Sequence, residues 1–312
     1  MSANLAFVFP GQGSQSLGML AELAVQQPLI IETFAEASTT LGYDLWALCQ
    51  QGPQELLNQT DKTQPAILAA SIALWRLWLA EGGAPPKFVA GHSLGEYSAL
   101  VAAQSLGFAD ALKLVECRGQ LMQQAVPAGQ GAMAAILGLD DAQVIAACAE
   151  AAHGGVVSAV NFNAPGQVVI AGSAAAVERA ITVCKQYGAK RALPLPVSVP
   201  SHCELMRPAA ERFAESIAGV AWQTPTISLL QNVSAAVVLD LDTLKRDLLA
   251  QLYNPVRWVE TIVCLAENGV TELVECGPGK VLGGLNKRCV KDLNNFHLDN
   301  PDAFAATRAA LA

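Results

Sequence analysis

An α/β fold is predicted, a larger unit built on a parallel sheet and interrupted by a smaller one, and three observations predict it. Short apolar runs ending in glycine or proline alternate with longer segments of helical spacing, as strands feeding helices do in a parallel sheet. Hydrophobic residues make up 52% of the 312 positions and charged residues 15%, which suits a large buried core and argues against disorder. Between Gly131 and Pro200 the segments follow a different order: strand, helix, strand, strand, helix, strand.

In chain order, LAFVFP is a buried strand closed by the Pro10-Gly11 turn. KFVAGHS reads as a second strand, LGEYSALVAAQSL as the helix after it, and FADALKLVECRGQLMQQAV from Phe108 as another helix that ends before Pro127. Within the interruption, GAMAAILG is a strand, LDDAQVIAACAEAA a helix, and VVSAVNF and QVVIAG are strands around the turn NAPG. AAAVERAITVCKQYG is then a helix, and RALPLPVSV, residues 191–199, a strand, completing a ferredoxin-like βαββαβ pattern. Afterwards TISLLQN reads as a strand, residues 242–269 as helices broken at Pro255, and TELVECGPG as a strand and turn. An Ala-rich polar tail follows. The expected organisation is a discontinuous large domain, 1–128 and 201–312, around a small domain at 129–200, with a ligand crevice between them.

The net charge of −8 disfavours nucleic acid and anionic membrane as partners. The eight cysteines are scattered without a CxxC pair, and none of the four histidines has a partner at metal-ligand spacing, so reduced thiols and no metal are expected. No apolar run reaches the ~18 residues of a membrane span, and the N-terminus lacks the basic region of a secretory signal. A soluble cytoplasmic protein is expected.

The chemistry starts at Ser93. GHSLG, at 91–95, fits G-x-S-x-G at a strand-to-helix junction, where a tight turn presents a nucleophilic serine; a glycine turn without chemistry is the other reading. Neighbouring side chains of an extended segment point to opposite faces, so His92 is directed away from the serine's site. His202 in VSVPSHCELM, where the chain returns from the small unit, is the better candidate base, against a histidine merely satisfied in a turn. His153 reads as a loop residue and His297 as part of the tail. Arg118 shares a helical face with Leu114, Leu121 and Met122, and a charge in an apolar stripe needs an anion: either a core carboxylate or a substrate carboxylate gripped by the guanidinium fork. FPGQGSQSLG lacks the Lys-Ser/Thr of a P-loop, but its turn can lend a backbone N–H to an oxyanion, beside the N–H of the residue after the nucleophile.

Seven stretches carry a resemblance: GQGSQ at 11–15, GHSLGEYSAL at 91–100, ECRGQLMQ at 116–123, NAPGQ at 163–167, VSVPSHCELM at 197–206, LYNPVRW at 252–258 and ECGPG at 275–279. Together and in this order they resemble the bacterial malonyl-CoA:acyl carrier protein transacylases of type II fatty acid synthesis. The resemblance implies a hydrolase-like large domain with a ferredoxin-like insertion. It also implies Ser93 as nucleophile, His202 as base, Arg118 as the carboxylate clamp, and the amides of Gln12 and Leu94 as oxyanion donors. The histidine would be oriented by the backbone carbonyl of Gln251 rather than by an acid. Malonyl-CoA and acyl carrier protein are the implied partners of a monomeric enzyme without a cofactor. A polyketide acyltransferase and a serine thioesterase share the elbow and stay as alternatives, though a thioesterase gives no reason for Arg118 or for the insertion. Ser201 stands where relatives with a bulky aromatic choose malonyl, which keeps methylmalonyl as a lesser possibility. Lys185, Lys190, Arg191, Lys280, Lys287 and Arg288 are candidate contacts for an acidic carrier, a solvated surface being the plainer reading of each.

Overall fold

The computed structural model describes residues 2–197 and 199–311. The first strand, β1 (Ser2–Phe9), leads into a helical stretch for which the sequence predicts no elements: α1 (Ala21–Gln26), α2 (Pro28–Leu41), α3 (Leu45–Gln51), α4 (Gln54–Leu57) and the long α5 (Thr60–Ala80). Then come β2 (Pro86–Gly91), α6 (Gly95–Ala102) and α7 (Phe108–Ala125). The interruption is β3 (Gly131–Leu137), α8 (Asp141–Ala151), β4 (Val157–Ala164), β5 (Gln167–Ser173), α9 (Ala174–Gln186) and β6 (Arg191–Pro194). The chain finishes with α10 (Arg207–Ala218), β7 (Ser228–Leu230), α11 (Leu241–Ala250), α12 (Trp258–Glu267), β8 (Glu272–Glu275), α13 (Val281–Cys289), β9 (Asn294–His297) and α14 (Pro301–Ala310).

Five strands form a sheet in the order β7-β2-β1-β8-β9, and every pairing in it is parallel. Its central strand is covered on both sides, as parallel sheets require. Phe7 and Phe9 of β1 face α5, where the Phe7 ring meets Trp75 edge-on at 5.3 Å, while Ala6 and Val8 pack into the cluster with Trp258 and Ile262 of α12. This double burial is why LAFVFP is a continuous apolar run rather than an alternating one.

The second sheet runs β4-β5-β3-β6, with antiparallel pairings, the strand order expected of the βαββαβ pattern. Helices α8 and α9 cover one face through Val144, Cys148, Val177 and Cys184. The other face, with Met133, Val160, Val169 and Ala171, packs on Cys203, the residue after His202. β4 is also bonded to the main body: the Phe162 N–H donates to the Val256 carbonyl at 3.0 Å, and the Val256 N–H to that of Val160 at 2.9 Å. The small sheet thus forms a wall beside the segment that carries His202.

Two expectations need correction. The strand expected over 191–199 stops at Pro194, since Pro194 and Pro196 cannot donate to a ladder; Ser198 lies outside the described residues. The expected polar tail is ordered, with His297 on β9 bonded to Asp299 at 2.7 Å and α14 packed through Phe304 against Trp78. Among the described residues no helix is long and apolar enough to cross a membrane, and no group of three or more His, Cys, Asp or Glu could hold a metal ion.

Candidate active site

β2 runs out at Gly91 and α6 starts at Gly95, so His92, Ser93 and Leu94 turn the chain at the carboxyl end of a central parallel strand. Ser93 sits at φ 53°, in the left-handed region, a strain of about 1–2 kcal/mol for a side-chain-bearing residue. The flanking glycines permit close approach: a Cβ on Gly91 would lie 1.9 Å from the Gly95 carbonyl carbon, and one on Gly95 2.0 Å from the Phe9 carbonyl oxygen. Asn232, just beyond β7, holds the turn. Its Oδ1 accepts from the Ser93 N–H at 2.7 Å, and its Nδ2 donates to the Gly91 carbonyl at 2.6 Å.

Ser93 Oγ lies 2.7 Å from His202 Nε2, and His202 Nδ1 lies 2.7 Å from the carbonyl oxygen of Gln251. A carbonyl only accepts, so Nδ1 carries the proton and Nε2 presents its lone pair to the serine hydroxyl. His202 is left-handed as well, at φ 65°, and its own N–H donates to the Leu252 carbonyl at 2.9 Å. Burial, and next the charge of Arg118, push the His202 pKa down to about 3. The imidazole is therefore neutral near pH 7, the resting state of a general base. His92 also lines the groove, contrary to its expected placement on the opposite face, but it is bonded elsewhere: its Nε2 is 2.8 Å from Asn163 Oδ1 on β4, its ring packs on Trp258, and burial lowers its pKa.

Arg118, on α7, is only 2% exposed, and no carboxylate among the described residues is within salt-bridge distance of it. Its Nη1 donates to Gln64 Oε1 at 2.8 Å and its Nη2 to Gln251 Oε1 at 2.9 Å, both neutral amides. Nη2 also lies 3.5 Å from Ser93 Oγ, and Nε is buried without a partner. Of the two anions the sequence allows for Arg118, the core carboxylate is thus not in contact with it. A groove of about 110 Å³ gathers these groups, with Gln12, Ser93, Leu94, Arg118 and His202 on one side and Met133, Asn161, Leu195 and Val197 on the other. The backbone N–H groups of Gln12 and Leu94 have no acceptor within the chain among the described residues. Ser201 also lines the groove. A larger open groove of about 810 Å³, beside Trp75, Leu106 and Ile227, has no histidine in its lining, so size alone does not mark the chemistry.

The structure brings Ser93, His202, Gln251, Arg118, Gln12 and Leu94 together. It adds residues that the sequence reading missed. Gln64, Asn232 and the Gln251 carboxamide are uncharged, and polar residues of this kind carry no periodic signal. Glu96 did carry one, a charge in an apolar helix just as Arg118 is. It is fully buried, and burial raises its pKa to about 7 against the pull of bonds donated by the Asn232 N–H and by the Gln251 and Gln231 side chains. Of the six candidate surface cations, all exposed, Arg288 is engaged: its Nη1 donates to Gln167 Oε1 and its Nη2 to the Pro165 carbonyl at 2.8 Å, tying α13 to the β4–β5 turn.

The chain matches the family described as acyl transferase domain over residues 6–300. It is 59% identical over 301 residues to the malonyl CoA-acyl carrier protein transacylase of Escherichia coli (strain K12), covering 96% of this chain and 97% of that protein. Among solved structures it is similar to the malonyl-CoA:acyl carrier protein transacylase of Xanthomonas oryzae pv. oryzae, at a TM-score of 0.99 and 54% identity over 100% of this chain and 99% of that one. A malonyl-transacylase solved in complex with its type II PKS acyl-carrier protein also matches, at a TM-score of 0.97 and 54% identity over 98% and 99% of the two chains. With its elbow serine, buried histidine and groove-facing arginine, the chain belongs to the acyl transferase family, among the malonyl CoA-acyl carrier protein transacylases.

Proposed function

We propose that the protein moves a malonyl group from malonyl-CoA to the phosphopantetheine thiol of acyl carrier protein through a malonyl ester on Ser93, supplying extender units for fatty acid synthesis. The observation that carries this reading is Arg118, a buried cation bonded only to neutral groups, with Nη2 3.5 Å from the serine oxygen. A malonyl carboxylate, close along the acyl chain to the carbonyl that Ser93 attacks, satisfies that charge. An acetyl methyl leaves it unpaired.

In the first half-reaction His202 Nε2 takes the Ser93 proton while Oγ attacks the thioester carbonyl. The oxyanion is received by the Gln12 and Leu94 amides, whose N–H groups have no other acceptor among the described residues. The Gln251 carbonyl, 2.7 Å from Nδ1, steadies the imidazolium. The carbon–sulfur bond then breaks, and His202 returns the proton to the coenzyme A sulfur. In the second half the carrier's thiol gives its proton to His202, its sulfur attacks the serine ester, and Ser93 Oγ leaves and regains the proton.

The exchange moves its protons and charges on these side chains and calls for no cofactor. Every group named here comes from one chain, which is compatible with a monomer, and a cytoplasmic location is part of the same reading. Residues 1–128 and 201–312 form the acyltransferase domain in this reading, and 129–200 an inserted domain whose sheet walls the groove. Because one similar structure is a complex with a type II PKS carrier, a polyketide carrier is the second reading, with the same chemistry at Ser93. Intact-protein mass measurement after mixing with malonyl-CoA tests the proposal. A malonyl adduct on the wild type, absent in Ser93→Ala and discharged by carrier protein, is expected. No adduct, or one lost to water as fast as to carrier, would overturn it in favour of a hydrolase.

A further inference from the structure

We infer that Glu96 is a positioning residue for the transfer, setting the carboxamide of Gln251 and through it the aim of Arg118 at the acyl carboxylate; this rests on the carboxylate-clamp reading of Arg118. Glu96 lies in the first turn of α6, three residues after the nucleophile, and is completely buried. Its Oε2 accepts from the Asn232 N–H at 3.0 Å and from Gln251 Nε2 at 3.0 Å, and its Oε1 from Gln231 Nε2 at 3.1 Å. These groups are all donors and none can accept, so their bonds favour the ionised carboxylate against the burial that opposes it.

Gln251 is where this charge is translated into geometry. Its Nε2 donates to Glu96 and, at 2.9 Å, to the Ser93 carbonyl, while its Oε1 accepts from Arg118 Nη2 at 2.9 Å. A flipped carboxamide would set oxygen against a carboxylate and a carbonyl, and NH2 against a guanidinium. Glu96 therefore holds the one orientation that seats Arg118, and the amide keeps the two buried charges out of direct contact. That separation matters for specificity. Were Glu96 bonded to Arg118 directly, the guanidinium would be neutralised before substrate arrived and would gain less from a malonyl carboxylate. Glu96 reaches the nucleophile as well, because the N–H it holds belongs to Asn232, whose side chain bonds the Ser93 N–H and the Gly91 carbonyl.

Glu96→Gln keeps the shape but removes the charge and puts an NH2 among donors. The test compares rates of Ser93 acylation by malonyl-CoA and by acetyl-CoA, followed by intact mass, for wild type, Glu96→Gln, Glu96→Asp and Glu96→Gln in an Arg118→Ala background. Glu96→Gln should slow malonyl loading by at least about tenfold more than acetyl loading, the scale of a misplaced substrate contact. Glu96→Asp, which retains the charge, should keep the malonyl preference even where both rates fall. Without Arg118, the Glu96→Gln change should affect the two donors alike. Equal losses for both donors in Glu96→Gln with Arg118 present, or a lost preference in Glu96→Asp, would overturn the proposal and leave Glu96 a packing residue. Failure of the wild type to load malonyl on Ser93 would instead overturn the reading of the site itself.

Discussion

Replacing Arg118 with alanine should remove the choice of acyl group while sparing the ability to acylate Ser93. The guanidinium is 2% exposed and faces the serine in a groove of about 110 Å³, so a bound malonyl carboxylate pairs with it largely out of water. Truncating one partner of a buried ion pair costs about 3–5 kcal/mol. At about 1.36 kcal/mol per decade this is a fall of roughly 10²–10⁴ in kcat/KM for malonyl-CoA. The variant also strips the donors from Gln64 and Gln251, now bonded at 2.8 and 2.9 Å, but that loss is shared by every acyl donor. The ratio of malonyl to acetyl loading therefore isolates the carboxylate term. It should collapse by about two decades or more, with acetyl loading reduced by about tenfold or less. The assay is the initial rate of Ser93 acylation by each thioester, read from intact mass. If the two donors slowed by the same factor, the clamp role would be refuted and Arg118 would be a structural cation.

His202 makes the next prediction. Its folded pKa, about 3, lies below the ordinary histidine value, so the unfolded chain binds the extra proton and stability falls as pH drops below about 6.5. By urea unfolding between about pH 7 and 5, His202→Ala should lose about 2 kcal/mol less than wild type; an equal loss would contradict a buried neutral imidazole. Gly95→Ala sets a Cβ 2.0 Å from the Phe9 carbonyl, and should lower stability by about 1–3 kcal/mol or more with loss of loading; unchanged Tm and loading would mean the elbow is not close-packed on β1. For carrier docking, Lys287→Glu should raise the apparent KM for carrier protein alone. Arg288→Glu should also lower the loading rate, because Arg288 ties α13 to the β4–β5 turn; carrier KM values unmoved in both variants would remove this face from the docking surface.

The parts of this protein legible in the sequence are those decided by near neighbours. An apolar run bounded by Pro10-Gly11 is a strand in nearly any context, and glycines on both sides of Ser93 mark a tight turn before any partner is known. Arg118 stood out because helical spacing shows which residues share its face. His202 was found by where the chain re-enters the larger unit. The run of helices α1 to α5 and the ordered end from α13 to α14 lie outside the sequence reading; α1, α3 and α4 are short and α5 is buried on most of its surface rather than along one stripe, so these owe their form to packing rather than to local pattern.

What completes the site was decided only by docking elements far apart in the chain. The sequence required an anion for Arg118 and could not choose between a core and a substrate carboxylate. The fold sets the neutral amides of Gln64 and Gln251 against the guanidinium and leaves Nε unpaired, with no core carboxylate among the described residues in contact with it. Asn232 meets Ser93 across 139 positions and Gln251 meets Glu96 across 155, separations over which a polar residue gives no hint of its partner. Local pattern and chain position thus pointed to the serine, the histidine and the charge. The tertiary structure decided their aim, because a hydrogen bond depends on distance and direction, which exist only once the strand ends, α7 and the small sheet have closed around one groove.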